Sequence, residues 1–148
     1  MSSFLARSSA LPPCDGSALE ALQRIEDEMA KQPQVTLSVE HHLHAGVYSR
    51  TVFIPKGVMA CGVIINRPTQ LIMSGHARVT SGDRVYELEG FHVLDGEANR
   101  KQIAYAIEDT YFTMLFATNA KTVEEAETEF TDEADRLQTR NKELLCQE

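Results

Sequence analysis

The feature that most constrains this chain lies between residues 35 and 118. There, "VTLSVEHHL", "VYSRTVFIP", "CGVIIN", "QLIMSGHARVTSGDRVYELEG", "FHVLDG" and "QIAYAIEDTYFTMLFAT" follow one another as short β-branched and aromatic runs. Gly46, Pro55-Lys56-Gly57, Arg67-Pro68, Ser81-Gly82-Asp83, Gly90 and Gly96 stand between or within them. Strands this closely spaced, with turn residues and no helical stretch between them, specify an antiparallel sandwich or barrel. The clearest single element is the hairpin "RVTSGDRVYEL", where Ser-Gly-Asp supplies the turn and Val79 and Val85 flank it.

Helical patterns flank this block. In "SALEALQRIEDEMAKQ", residues 17 to 32, Ser17 and Glu20 have capping-box spacing. Leu22, Ile25 and Met29 form an apolar stripe there, and Pro33 closes the element. Residues 121 to 145 carry a second pattern opened by Thr122 and Glu125, with Val123, Phe130, Leu137 and Leu144 seven apart. Acids crowd its first turns, while Arg136, Arg140 and Lys142 follow, as a helix dipole favours. The repeat spans only about three heptads and places Glu133 and Arg140 at d-like positions, so the helix is expected to pack on its own barrel or a neighbouring subunit. The expected organisation is a polar tail over 1–14, a helix over 15–33, a barrel over 34–120 and an acidic helix and tail over 121–148. At 148 residues, these form one domain.

The net charge of −8 is unevenly distributed. Residues 33–118 hold 8 acids and 7 bases, whereas 119–148 hold 9 acids and 4 bases. An acidic chain without a basic stripe repels phosphate, which argues against nucleic-acid and anionic-membrane partners. No apolar run reaches the roughly 20 residues that a membrane-spanning helix needs. "MSSFLARSSALPPCDG" lacks the continuous apolar region of a secretory signal. Cys14, Cys61 and Cys146 are odd in number and scattered, which fits a reducing compartment, and Cys61 reads as a small core residue.

Candidate chemistry centres on "HHLH". Strand alternation sets His42 and His44 on one face, with His41 and Leu43 on the other. Such a pair is a metal-ligand geometry, but two ligands are not a site, and His76, His92, Glu87, Glu89 and Glu108 are the available third partners. Ser74-Gly75-His76 lacks the surroundings of a nucleophile elbow. Glu108 and Asp109 are adjacent and face opposite sides of a strand, one inward and one into solvent. "GEANRK", residues 96–101, reads as a solvated loop that could meet an anion.

The stretch from "HHLHAGVYSRTVFIPKG" to "YAIEDTYFTMLFAT" resembles small cupin-like proteins of tailed bacteriophages and prophages. Its carriers are the "HH…GVY.R" strand, the ".FIPKG" turn, a glycine-marked hairpin and the closing "YA.EDT" strand, over about residues 38–118. The resemblance implies a double-stranded β-helix: a small cupin-like antiparallel jelly roll with flanking helices. It also exposes a departure, because metal-binding cupins carry a His-x-His and Glu set where this chain has "GVIINRPTQLIMSG", and Ile107 stands where a histidine is common. No cofactor is therefore expected, with His42 and His44 as the alternative metal ligands.

The favoured expectation is a non-catalytic, homo-oligomeric phage module of assembly or virion association, in the host cytoplasm or the particle. Its contact residues would be Val123, Phe130, Leu137 and Leu144, and its partners itself and other phage structural proteins. The first alternative is a small-molecule site in the barrel, binding or of isomerase or dioxygenase type, lined by His42, His44, Tyr48, Asn66, Gln70 and Tyr105. The second is a factor that binds a host defence protein or its signal nucleotide.

Overall fold

The computed structural model describes residues 10–137. Its elements are β1 (Ala10–Leu11), α1 (Gly16–Met29), β2 (Ser38–His44), β3 (Val47–Ile54), β4 (Met59–Cys61), β5 (Thr69–Ser81), β6 (Arg84–Gly96), β7 (Gln102–Ala117) and α2 (Val123–Phe130), followed by a short 3-10 turn, Ala134–Arg136. The seven strands form one sheet in the order β1-β6-β5-β7-β3-β2, with β4 also on β7. All pairings are antiparallel except β1 with β6. Among the described residues, no helix is long and apolar enough to cross a membrane.

The expected hairpin is present, with Ser81 opposite Arg84. A second tight turn joins β2 to β3 through Ala45 and Gly46, both at positive φ (54° and 74°), the geometry that matches the twist of a two-residue hairpin. The long strands curl where β5 breaks register against β7, between Ser74 and Ala77. Gly75 sits there at φ 140°, and a Cβ on it would lie 2.6 Å from the Asp109 carbonyl oxygen. Thr110 Oγ1 accepts from His76 N at 3.1 Å and fills the gap left in the ladder. Gly90, opposite Gly75, likewise bends rather than ends its strand, so "RVYELEG" and "FHVLDG" are one element.

Curling brings the inward residues together as the core. Leu71, Met73, Ala77 and Val79 of β5 meet Leu88 and Leu94 of β6, Met114 and Phe116 of β7, and Tyr48 of β3. A second cluster lies outside the barrel, where α1 packs Leu22, Leu19 and Met29 against Ile103, Cys14 and Cys61. Ile25, assigned to the apolar stripe, is 43% exposed, because the face that meets the sheet runs through Leu19 and Leu22 instead. The α1 cap is also displaced from Ser17: Asp15 accepts from Ala18 N at 2.8 Å, and Ser17 Oγ donates to the Asp15 carboxylate.

Two boundaries differ from expectation. The tail joins the sheet at Ala10–Leu11, with Leu11 fully buried, so its last residues belong to the barrel. Over the described part of 121–145, the expected helix is instead the eight-residue α2, broken at Thr131, and residues 138–145 lie outside the described residues. Side chains there compete for the backbone groups that a helix would use. Thr131 Oγ1 accepts from Glu133 N, the Phe130 carbonyl accepts from Asn66 N at 2.8 Å, and Glu133 accepts from Ile64 N at 3.0 Å. Thr122 does cap α2, accepting from Glu125 N.

Candidate functional site

Between the inner sheet face and the docked α2 segment lies a cavity of about 230 Å³. Its walls are Val39, Val52 and Ile54 on one side, Leu71, Val79, Ala104 and Met114 on the other, with Phe130 and Leu137 across the top. Period-two alternation aims them inward: Val52 and Ile54 follow Tyr48 and Arg50 on one face of β3. The segment before and into β7 alternates in the same way. Arg100, Gln102 and Ala104 line the cavity, while Lys101 and Ile103 turn to α1.

The polar lining consists of Arg50, Arg100, Gln102, Arg136 and Cys61. Among the described residues, no Asp, Glu or His lines the cavity. Arg50 pairs with buried Glu127 at 3.1 Å and lies over the Phe130 ring. Arg136 is held by Glu26 at 2.9 Å and Glu133 at 2.8 Å. Arg100 is 1% exposed; among the described residues it bonds the Glu97 carbonyl at 2.7 Å and Thr69 Oγ1 at 2.6 Å, and the Glu97 charge favours its charged form. Burial pushes its pKa down to about 10, so it remains a cation at neutral pH. Gly96 leaves room for its guanidinium, which the Cβ of any other residue would strike. Arg100 Nε and Gln102 Nε2 are buried with no hydrogen-bond partner among the described residues. Burial pushes the Cys61 thiol up to about 12.

Aromatic packing holds the top in place. Tyr48 stacks on Phe130 at 6.3 Å, and both meet Phe116 edge-on. The Tyr48 hydroxyl hydrogen-bonds His41 Nδ1 at 2.8 Å, which satisfies a phenol that is otherwise wholly buried. Burial holds the His41 pKa below its ordinary value, and the Arg50 charge adds to this.

None of the six residues expected to line a barrel site lines this cavity. His42 and His44 do share a face, as alternation requires, but it is the exposed one. Tyr48 is core, Gln70 and Tyr105 point outward, and Asn66 anchors the α2 segment through its backbone. Among the described residues, no three His, Cys, Asp or Glu side chains converge as a metal site would require. His76 instead lies between Glu87 and Glu89 at 3.2 and 3.4 Å. Glu108 and Asp109 are both exposed and both serve Lys56: Glu108 through its ammonium, and Asp109 by accepting from its backbone N.

The residues overlooked in the sequence are Arg50, Arg100, Gln102 and Arg136. "GEANRK" is not solvated at its end, since Arg100 and Lys101 are each 1% exposed. A signal was available: Arg50 alternates with Tyr48, Val52 and Ile54, a charge on an apolar face. Val123, Phe130 and Leu137, expected at a subunit contact, face this barrel's own core, and Leu144 lies outside the described residues.

No family model matches the chain, and no curated protein matches it. Solved structures do. Salicylate 1,2-dioxygenase from Pseudoaminobacter salicylatoxidans aligns with a TM-score of 0.50 and 13% identity over 77% of this chain and 33% of its own. An RmlC-like cupin with a double-stranded β-helix from Methanocaldococcus jannaschii aligns with a TM-score of 0.46 and 19% identity, over 60% and 85%. KdgF from Halomonas sp. aligns at 0.47 and 15%, over 61% and 87%. Together with the strand topology, the likeness establishes a small cupin-like jelly roll; at these identities it speaks to fold alone.

Proposed function

We propose that this protein is a small-molecule-binding, non-catalytic cupin-like barrel whose site is the cavity beneath α2. The observation that carries the reading is an apolar space of about 230 Å³ that the core side chains leave unfilled. Interiors are normally close-packed, and an apolar cavity of about 150 Å³ already takes up benzene. Among the described residues, the lining offers no carboxylate and its one thiol, Cys61, has a raised pKa, which favours binding over catalysis. Methyl-resolved NMR of the full chain, titrated with small aromatic probes, tests it. Saturable shifts at Leu71, Val79 and Leu137 are expected; no shifts with any probe would overturn it.

A second reading, self-association, is favoured by the outer face. Phe91 and Val93 on β6 are 68% and 53% exposed, and Tyr111 on β7 adds to the same face. Among the described residues, the outer edge of β6 pairs only with the two residues of β1. An apolar edge of this kind requires cover, and a second copy is the proposed occupant. The phage setting implied by the sequence resemblance, with assembly or virion partners, belongs to this reading. Native mass spectrometry of the wild type and Val93→Lys tests it: a dimer lost in the variant supports it, and a monomeric wild type overturns it.

A further inference from the structure

We infer that the cavity beneath α2 takes an uncharged, compact aromatic molecule, one ring with at most a short alkyl substituent, seated against Phe112 and Met114. This rests on the binding reading above and adds the ligand's chemistry.

Charge is the first argument. Three arginines contribute to the cavity wall, and each already has an acid beside it. Arg50 has Glu127 at 3.1 Å, Arg136 has Glu26 and Glu133 at 2.9 and 2.8 Å, and Arg100 has the Glu97 charge. Cys61 stays a neutral thiol, its pKa pushed up to about 12 by burial. An ionised ligand would give up its hydration and find no open counter-charge among the described residues, a loss that an uncharged ligand avoids.

The aromatic lining is the second. Phe112 and Met114 alternate on the inner face of β7, opposite Val52 and Arg50 of β3, and both line the cavity. Phe130, the other ring in the lining, is engaged by Tyr48 and Phe116, whereas Phe112 meets no other ring among the described residues. A ligand ring gains from offset or edge-on contact with Phe112 beyond what its buried area gives, and the Met114 sulfur adds a favourable contact. A saturated body of the same size gains neither.

Size and walls set the rest of the molecule. Val52, Leu71 and Val79 offer no partner to hydroxyl groups, so sugars would lose hydration without compensation. The volume of about 230 Å³ exceeds the roughly 150 Å³ that accommodates benzene, which leaves room for a short alkyl group.

The probes are toluene, methylcyclohexane and benzoate, titrated into the full chain at pH 7 and read by methyl NMR. Toluene is expected to saturate, methylcyclohexane to bind several-fold more weakly, and benzoate at least about tenfold more weakly than toluene. Phe112→Leu keeps an apolar side chain, and its own spectrum reports its folding. It should erase the preference for toluene over methylcyclohexane. Benzoate binding as tightly as toluene would overturn the uncharged assignment, and methylcyclohexane matching toluene would overturn the aromatic one; either leaves the cavity reading standing. An unchanged preference in Phe112→Leu would overturn the seat against Phe112. Silence from all three probes would overturn the assignment and the cavity reading together.

Discussion

Lys101 Nζ lies 3.1 Å from Glu26 Oε1, and Arg136 Nη2 lies 2.9 Å from the same oxygen. One carboxylate of α1 therefore ties the barrel and the C-terminal turn together, with Lys101 1% exposed. Lys101 also donates to the Gly62 carbonyl at 2.9 Å. Removing the carboxylate leaves the buried ammonium, among the described residues, with that carbonyl as its hydrogen-bond acceptor. Glu26→Gln should cost about 3 kcal/mol in urea unfolding, the range for breaking a buried pair. Adding Lys101→Met should restore much of it, because no uncompensated charge remains; an unchanged double variant would refute the account.

His41 gives the fold a pH dependence whose sign is fixed. Burial sets its folded pKa below the unfolded value of 6.5, so the unfolded chain binds the extra proton first. Its contribution is complete above that value and is lost as pH falls below it toward the folded pKa. The urea midpoint should fall between pH 7.5 and 5.5, and His41→Asn should show a smaller fall over the same window.

Gly75 is a point of the sheet where backbone itself closes the space for a side chain. A Cβ there would meet Thr110 Oγ1 at 2.5 Å and the Asp109 carbonyl at 2.6 Å, at a φ that side chains rarely adopt. Gly75→Ala should destabilise by about 2–3 kcal/mol, as overpacking does. Gly16→Ala, at the start of α1 with nothing within 4 Å, should stabilise by about 0.5 kcal/mol. Equal midpoints for the two variants would contradict the geometry.

Cys61, with its thiol pushed up to about 12, should be slow to alkylate. Peptide mapping after iodoacetamide at pH 8 should show Cys61 modified at least about tenfold more slowly in the native chain than in urea. A native rate matching the unfolded one would mean that the site is open.

Ala104→Phe places a ring in the cavity. The variant should fold with a melting temperature within a few degrees of wild type and lose the shifts that small aromatic probes induce. Retained binding would move the site elsewhere.

The β-rich centre, the hairpin at Ser81–Arg84 and the Thr122 cap were legible because each depends on neighbours in sequence: alternation, a turn residue, a hydroxyl at the right offset. The shared face of His42 and His44 was legible for the same reason, but its exposure was not, since period two assigns residues to a side without saying which side is in. Within its described part, to Leu137, the helix expected over 121–145 misled through local pattern. Val123, Phe130 and Leu137 are buried as their spacing suggests, yet Asn66, Ile64 and Thr131 take the backbone groups and carboxylate that would have extended it.

By itself, then, the sequence determined the strand pattern and the glycines that let it curl. Tertiary structure alone decided that Arg100 and Lys101 are buried and that the segment through Leu137 closes a cavity. These depend on which strands curl over which, and the burial of a cation is set by neighbours tens of residues away, such as Glu26 for Lys101 and Thr69 for Arg100.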